Sequence, residues 1–195
     1  LCDRRQRQMC IRDRIVADPV WRDFVSESMN GSEWKQKMHG FSLPGENRQL
    51  SIWNGLQDIC SYAGEEDAVL IHDAARPLLS AGLIHDCLQG LVGYGGVLPV
   101  LPMKDTVYLS EDGKEISSLL DRKQIFAGQA PEVFRLGAYC RANQALLPDR
   151  ILTINGSTEV AVMAGMKVHM ISGDERNFKI TTAEDLQRFE RLVTA

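Results

Sequence analysis

The chain has 195 residues, 44% hydrophobic and 25% charged, with 22 Lys and Arg against 26 Asp and Glu for a formal net charge of -4. That length suits one domain able to bury its own core, and the composition is that of an ordinary soluble globular protein with no apolar run near the length of a membrane span. The acidic balance argues against a nonspecific nucleic-acid binder, which needs a basic face to displace counterions, so an anionic ligand must be met by locally placed Arg and Lys.

The first fourteen residues, LCDRRQRQMCIRDR, are Arg-rich and show neither helical nor strand periodicity. They lack the apolar stretch of a signal peptide. This segment is expected to be a non-native prefix, 1-14, either a translated sequencing adapter on a gene truncated at its 5′ end or a disordered basic tail. Five cysteines (Cys2, Cys10, Cys60, Cys87, Cys140) are scattered and odd in number. No disulfide framework or zinc site is signalled, and a reducing cytoplasm is the expected compartment.

Short apolar runs then alternate with amphipathic segments, the pattern of an α/β domain with a mostly parallel sheet spanning 15-195. Ile15, Val16 and Ala17, followed by Asp18 and Pro19, read as a strand running into a loop. Ile52, Leu56 and Ile59 share a helical face within Leu50 to Cys60. Ala68 to His72 and Gly96 to Val100 read as strands, and Leu83 to Leu91 as a helix. Between about 103 and 129, Thr106 to Leu109 and Ile116 to Leu120 flank an Asp-Gly pair, the mark of a hairpin, so a β-arm is expected there. Helices follow at Leu136 to Leu147 and Ser157 to Met163, and a strand at Lys167 to Ile171. Thr182 with Asp185 three residues on predicts the start of a last helix carrying Leu186, Phe189 and Leu192.

His72-Asp73-Ala74-Ala75-Arg76-Pro77 directly follows an apolar strand, and ligands in open α/β sheets bind outside the carboxyl ends of strands. A carboxylate there can hold Mg2+ against phosphate oxygens, small alanines admit a ligand to the backbone, and an Arg can grip phosphate with two prongs. Alternatively, Asp73 only caps the turn and pairs with Arg76.

The VLIHDAARP segment resembles the signature of the 2-C-methyl-D-erythritol 4-phosphate cytidylyltransferases and of the related ribitol-5-phosphate enzymes. Three further segments agree in order and spacing: Pro44 to Arg48 with Ser51, Lys104 to Thr106 through Leu120 to Arg122, and Gly173 to Leu186. The similarity runs from Ile15 to Leu192 and implies a Rossmann-like nucleotidyltransferase domain. It implies that Gly45, Glu46, Arg48, Ser51 and Ala74 lie on the CTP side, that Asp73 holds Mg2+, and that Asp73, Arg76, Thr106 and Ser157 meet the polyol phosphate. Arg122 and Lys179 would be the catalytic cations orienting that phosphate for in-line attack on the α-phosphorus, offsetting the repulsion of two anions. Without the resemblance, a Lys between Phe178 and Ile180 is expected to point to solvent, Arg122 to be a surface ion-pair residue and Ser51 a plain helix residue. Thr106 matches a position that reaches into a partner subunit, so the arm implies a homodimer.

Two departures bear on activity. The family's glycine-rich loop, which supplies cations to the triphosphate, has no counterpart before Ile15, so the chain as written is expected to handle CTP poorly. Ala130-Pro131 and Ser157-Thr158-Glu159-Val160 replace a hydroxyl and a carboxylate near the polyol. The leading expectation is cytidylyl transfer from CTP to 2-C-methyl-D-erythritol 4-phosphate. Its alternatives are a ribitol-5-phosphate or similar polyol-phosphate enzyme, a noncatalytic dimerising remnant, and a sugar-nucleotide transferase using UTP or GTP.

Overall fold

A computed structural model describes residues 11–194. The chain divides into two compact units where the sequence suggested a single one: residues up to Asp67 with Leu136–Val160, and Ala68–Arg135 with the residues from Ala161 onward.

In the first unit, β1 (Asp13–Val16) pairs in parallel with β2 (Met38–Ser42). β1 takes in the last two residues of the expected prefix. Arg14 is accommodated because its guanidinium donates to Asp58 at 2.7 Å, to Ser42 Oγ at 2.8 Å and to the Phe41 carbonyl at 2.7 Å. Asp18 and Pro19, expected to lead into a loop, open α1 (Pro19–Ser28) instead. The Asp18 carboxylate accepts from the Val20 amide at 3.0 Å, and Pro at the first helical position gives up only an amide that a helix start leaves unpaired. The next helix, α2 (Arg48–Cys60), buries Gln49, Trp53 and Leu56, a stripe turned slightly from the one expected. It packs on α4 (Leu136–Gln144), which ends three residues earlier than expected, and the first turn of α5 (Ser157–Met163) belongs to the same unit.

The second unit holds a five-stranded sheet. β3 (Ala68–Ile71), β4 (Gly96–Pro102) and β9 (Val168–Ser172) point one way, β9 pairing with β4 in parallel. β8 (Glu132–Arg135) runs antiparallel between β3 and β4, and β7 (Phe126–Gly128) pairs antiparallel with the far end of β4. The α/β class and the parallel run of β3, β4 and β9 agree with the sequence. The reversed β8 has no local signal in the sequence. α3 (Ala81–Gly90), capped by Ser80, lays Leu83 and Cys87 against Val97 and Val133 to form the apolar core with Leu91. The expected arm is narrower than 103–129: β5 (Val107–Leu109) and β6 (Ser118–Leu120) form its antiparallel pair, while β7 belongs to the sheet. Its turn is fastened by Asp112, which accepts from the Lys114 and Glu115 amides, and these bonds hold its carboxyl below the usual range. α6 (Ala183–Thr194) closes the chain with its expected capping box, Thr182 Oγ1 accepting from the Asp185 amide at 3.2 Å.

Candidate active site

Three loops leave the carboxyl ends of the co-directional strands: Asp73 to Arg76 after β3, Met103 to Thr106 after β4 and Gly173 to Ile180 after β9. That is where open α/β sheets place ligands. Asp73, Arg76 and Lys179 converge there. Lys179 Nζ lies 3.3 Å from Asp73 Oδ2 and Arg76 Nε 3.8 Å from the same oxygen. Asp73 and Arg76 are mostly buried, with side chains 18% and 13% exposed, whereas Lys179 is 42% exposed. The loop geometry explains the convergence. The Arg76 amide donates to the Asp73 carbonyl at 2.9 Å, and Ile180 donates to the Ala75 carbonyl at 2.8 Å, fastening the two loops side by side. Lys179 therefore faces a carboxylate rather than solvent alone, and the Phe178 to Ile180 segment is irregular, not a strand. The turn is closed by the Asp73 backbone carbonyl, and its carboxylate lies beside Arg76 as one member of the cluster.

Gln129 and Asn177, which sequence reasoning missed, hold this cluster from behind. Gln129 Nε2 donates to the Asp174 carbonyl, and its Oε1 accepts from the Asp174 amide, both at 3.0 Å. Asn177, fully buried, donates from Nδ2 to the Ala130 carbonyl at 2.7 Å, while its own carbonyl accepts from Arg76 Nη1 at 2.7 Å. Arg76 Nε and His72 Nδ1 are buried with no hydrogen-bond partner among the described residues, and such groups carry an energetic cost unless something pairs them.

Arg122 and Thr106 sit together elsewhere, at the base of the arm, where with Leu119, Leu120 and Asp121 they line an open concavity of roughly 410 Å³. Arg122 donates to the Lys104 carbonyl at 2.7 Å, and the Lys104 ammonium pairs with Glu175 on the third loop.

In the first unit, Gly45 to Arg48 form the approach to α2. The Gly45 amide donates to Ser51 Oγ at 2.9 Å, Ser51 Oγ donates to the Asn47 carbonyl at 2.8 Å, and Asn47 caps the helix by accepting from Leu50. A Cβ on Gly45 would fall 2.5 Å from Leu50 Cγ and 2.8 Å from its carbonyl carbon, so only glycine fits this bend. Ser51 is thus a fastener of the loop. Glu46 and, in the other unit, Ala74 are exposed. Arg48 Nη1 donates to Ser157 Oγ at 2.6 Å, bringing together two residues assigned to different ligands. Beneath them lies a buried polar chain: Gln49 Nε2 donates to Tyr139 Oη at 3.1 Å and to Asn143 Oδ1 at 2.6 Å, and Tyr139 Oη donates to the Ser157 carbonyl at 3.0 Å.

A model of the 2-C-methyl-D-erythritol 4-phosphate cytidylyltransferase family matches residues 39–195. A curated enzyme of that name from Geobacillus kaustophilus is 34% identical over 188 residues, 96% of this chain and 79% of the relative. The chain belongs to this family. A chloroplastic member from rice is 30% identical over 92% of this chain, which spans only 58% of that longer relative. The crystal structure of the Thermus thermophilus member, 25% identical, superposes with a TM-score of 0.72 over 94% of this chain and 83% of its own. Family membership gives the fold and the reaction class. It leaves each residue's role to chemistry. Among the described residues no group of three or more His, Cys, Asp or Glu could cage a metal, so a divalent cation would have only Asp73 in this cluster, the sparse donor set with which Mg2+ bound mainly by phosphates and water is compatible.

Proposed function

We propose that the chain transfers the cytidylyl group of CTP to 2-C-methyl-D-erythritol 4-phosphate, as an enzyme of the cytoplasm. A phosphate oxygen of the acceptor attacks the α-phosphorus, a new phosphoanhydride bond forms, and the bond to the β-phosphate breaks to release pyrophosphate. The observation that carries this reading is the Asp73, Arg76 and Lys179 cluster at the strand ends. Two cations held in place by their own chain are suited to bind an incoming phosphate and offset the repulsion between two anions. Arg122, at the arm base, would meet the same phosphate, and Thr106 beside it the polyol. Mg2+, when bound at Asp73, would draw charge from the triphosphate. Gly45, Glu46, Arg48 and Ser51 would lie on the CTP side, where the amides at the start of α2 favour anionic or polar partners, and Ala74, in the other unit, is assigned to CTP by the resemblance alone.

Burial bears on the acceptor. Ala130 is 4% exposed, so the hydroxyl missing there stands where it would present no group to a polyol, whereas Thr158, in place of the carboxylate, is half-buried, and Ser157 is buried with its hydroxyl on Arg48. What supports methylerythritol phosphate over ribitol phosphate is the match to the family of that name. The arm supports a homodimer: Tyr108, Leu109, Ile116 and Leu119 are each 47–67% exposed, an apolar pair of strands that a second copy would cover.

The test is pyrophosphate release with CTP, Mg2+ and either methylerythritol phosphate or ribitol phosphate, for the chain alone and with a relative's glycine-rich segment fused ahead of β1. Turnover with the first acceptor supports the proposal. Faster turnover with ribitol phosphate, or with UTP or GTP in place of CTP, reassigns the substrate, and no turnover by either form favours a noncatalytic remnant. Light scattering behind size-exclusion chromatography reads the dimer.

A further inference from the structure

Cys60, the last residue of α2, and Cys140, on α4, are 80 positions apart in the chain, yet their sulfurs stand 2.8 Å apart. Nonbonded heavy atoms settle at about 3.5–4.0 Å, and a disulfide bond is about 2.05 Å. The pair therefore lies well inside ordinary contact distance, about midway between contact and a bond. Cys60 is exposed and Cys140 half-buried. Burial, and then the Cys60 sulfur beside it, push the Cys140 thiol well above its ordinary value. Among the described residues Cys87 has no such neighbour: it is fully buried in the apolar core of the other unit, its thiol pushed up to about 11 by burial and by Asp86.

We propose that Cys60 and Cys140 form a thiol–disulfide exchange site that accepts a low-molecular-weight disulfide and closes into an intramolecular bond between α2 and α4. The accessible Cys60 thiolate attacks one sulfur of the incoming disulfide, forming a mixed disulfide and expelling one thiolate. Cys140 then gives its proton to solvent and attacks the Cys60 sulfur, breaking the mixed disulfide and expelling the second thiolate. Two cysteine thiols are oxidised by two electrons and one external disulfide is reduced to two thiols. The bond would join two helices already linked at Gln49 and Tyr139, at the end of α2 opposite Arg48. It would hold the unit together without contacting the loop residues, and a cross-link of this span constrains the unfolded chain strongly.

The probe is oxidised glutathione. The full chain is equilibrated across a series of oxidised-to-reduced glutathione ratios, quenched in acid, alkylated and mapped by peptide mass spectrometry. The expected product is a Cys60–Cys140 cross-linked peptide, lighter by two hydrogens than its reduced parts, with Cys87 still alkylated. It should be accompanied by a rise of the thermal midpoint on the order of 5 °C, reversed by dithiothreitol. Cys140→Ser should accumulate glutathione on Cys60, because the resolving sulfur is gone. A Cys60–glutathione adduct that persists equally in the unaltered chain would overturn the proposal, as would complete alkylation of both cysteines at every ratio. The mapping of the unaltered chain decides the matter even if the serine variant folds poorly.

Discussion

The loops around Asp73 and the base of the arm belong to the same unit and supply the cations assigned to one phosphate, but they are built differently. Lys179 and Arg76 share the Asp73 carboxylate, and the loops carrying them are fixed by Gln129, Asn177 and the bond from Ile180 to Ala75. Arg122 is exposed and donates to one carbonyl, that of Lys104. The first cluster is organised before any substrate arrives, the condition under which a fixed charge contributes most to a transition state. The arm offers its cation on a surface whose final geometry depends on what covers it.

The largest expected effect comes from Lys179→Ala, which in the active form should lower turnover about 10²–10³-fold. The thermal midpoint should move little, since the lysine is half in solvent. A fall in turnover matched by a collapse of the midpoint would make Lys179 a structural ion-pair partner instead. Arg122→Ala should lower turnover by a smaller factor, about tenfold to a hundredfold, with no change in the midpoint. Conservative exchanges sharpen the contrast. Arg122→Lys, on an open surface, should retain more activity than Lys179→Arg, because a guanidinium must fit beside Arg76 around one carboxylate. If the two exchanges cost equally, the difference in preorganisation is not what separates the regions.

Asn177→Ala tests the frame. It removes the donor to the Ala130 carbonyl from a fully buried position, so it should cost about 1–3 kcal/mol in denaturant unfolding. Turnover should also fall, because loosening this position shifts the backbone carbonyl of residue 177, which alanine keeps and which orients Arg76. Lost stability with unchanged turnover would show that this carbonyl holds Arg76 without help from the Asn177 side chain.

Much of this was legible along the chain because it is local. β3 followed by His72 to Pro77, the span of α5 and the capping box of α6 rest on residues within a few positions of one another. What escaped rests on distant partners. Alternation of Phe178, Lys179 and Ile180 says solvent, but Asp73 lies more than a hundred residues upstream. The polar run ending at Arg14 conceals a strand, since its guanidinium becomes acceptable inside the unit through distant acceptors such as Asp58, Ser42 and the Phe41 carbonyl. Gln129 and Asn177 look like ordinary polar residues until their partners, Asp174 and Ala130, are known. Cys60 and Cys140 likewise carry no spacing signal. Asp18 with Pro19 is a different case, because a helix start was written there and a loop was read.

The smallest effect lies outside both regions, where a carboxylate is organised by short-range contacts alone. Asp185 Oδ2 accepts from the Thr181 amide and hydroxyl and from the Thr182 amide and hydroxyl, at 2.9–3.0 Å. The Thr181 amide and hydroxyl, followed by those of Thr182, bring its pKa from 3.8 down to about 2. A native carboxyl depressed in this way contributes its full stabilisation above the unfolded value near 4 and loses it as pH falls toward 2. The group is fully exposed, so solvent screening keeps that contribution small. Far-ultraviolet circular dichroism should show α6 loosening between about pH 4 and pH 2 in the unaltered chain. Asp185→Asn, which keeps an acceptor oxygen but has no charge to titrate, should start with slightly weaker helicity and lack that step. A constant difference between the two proteins from pH 5 to pH 2 would mean that the cap works through hydrogen-bond geometry alone, and that fixed charge matters in this unit only where a phosphate has to be held.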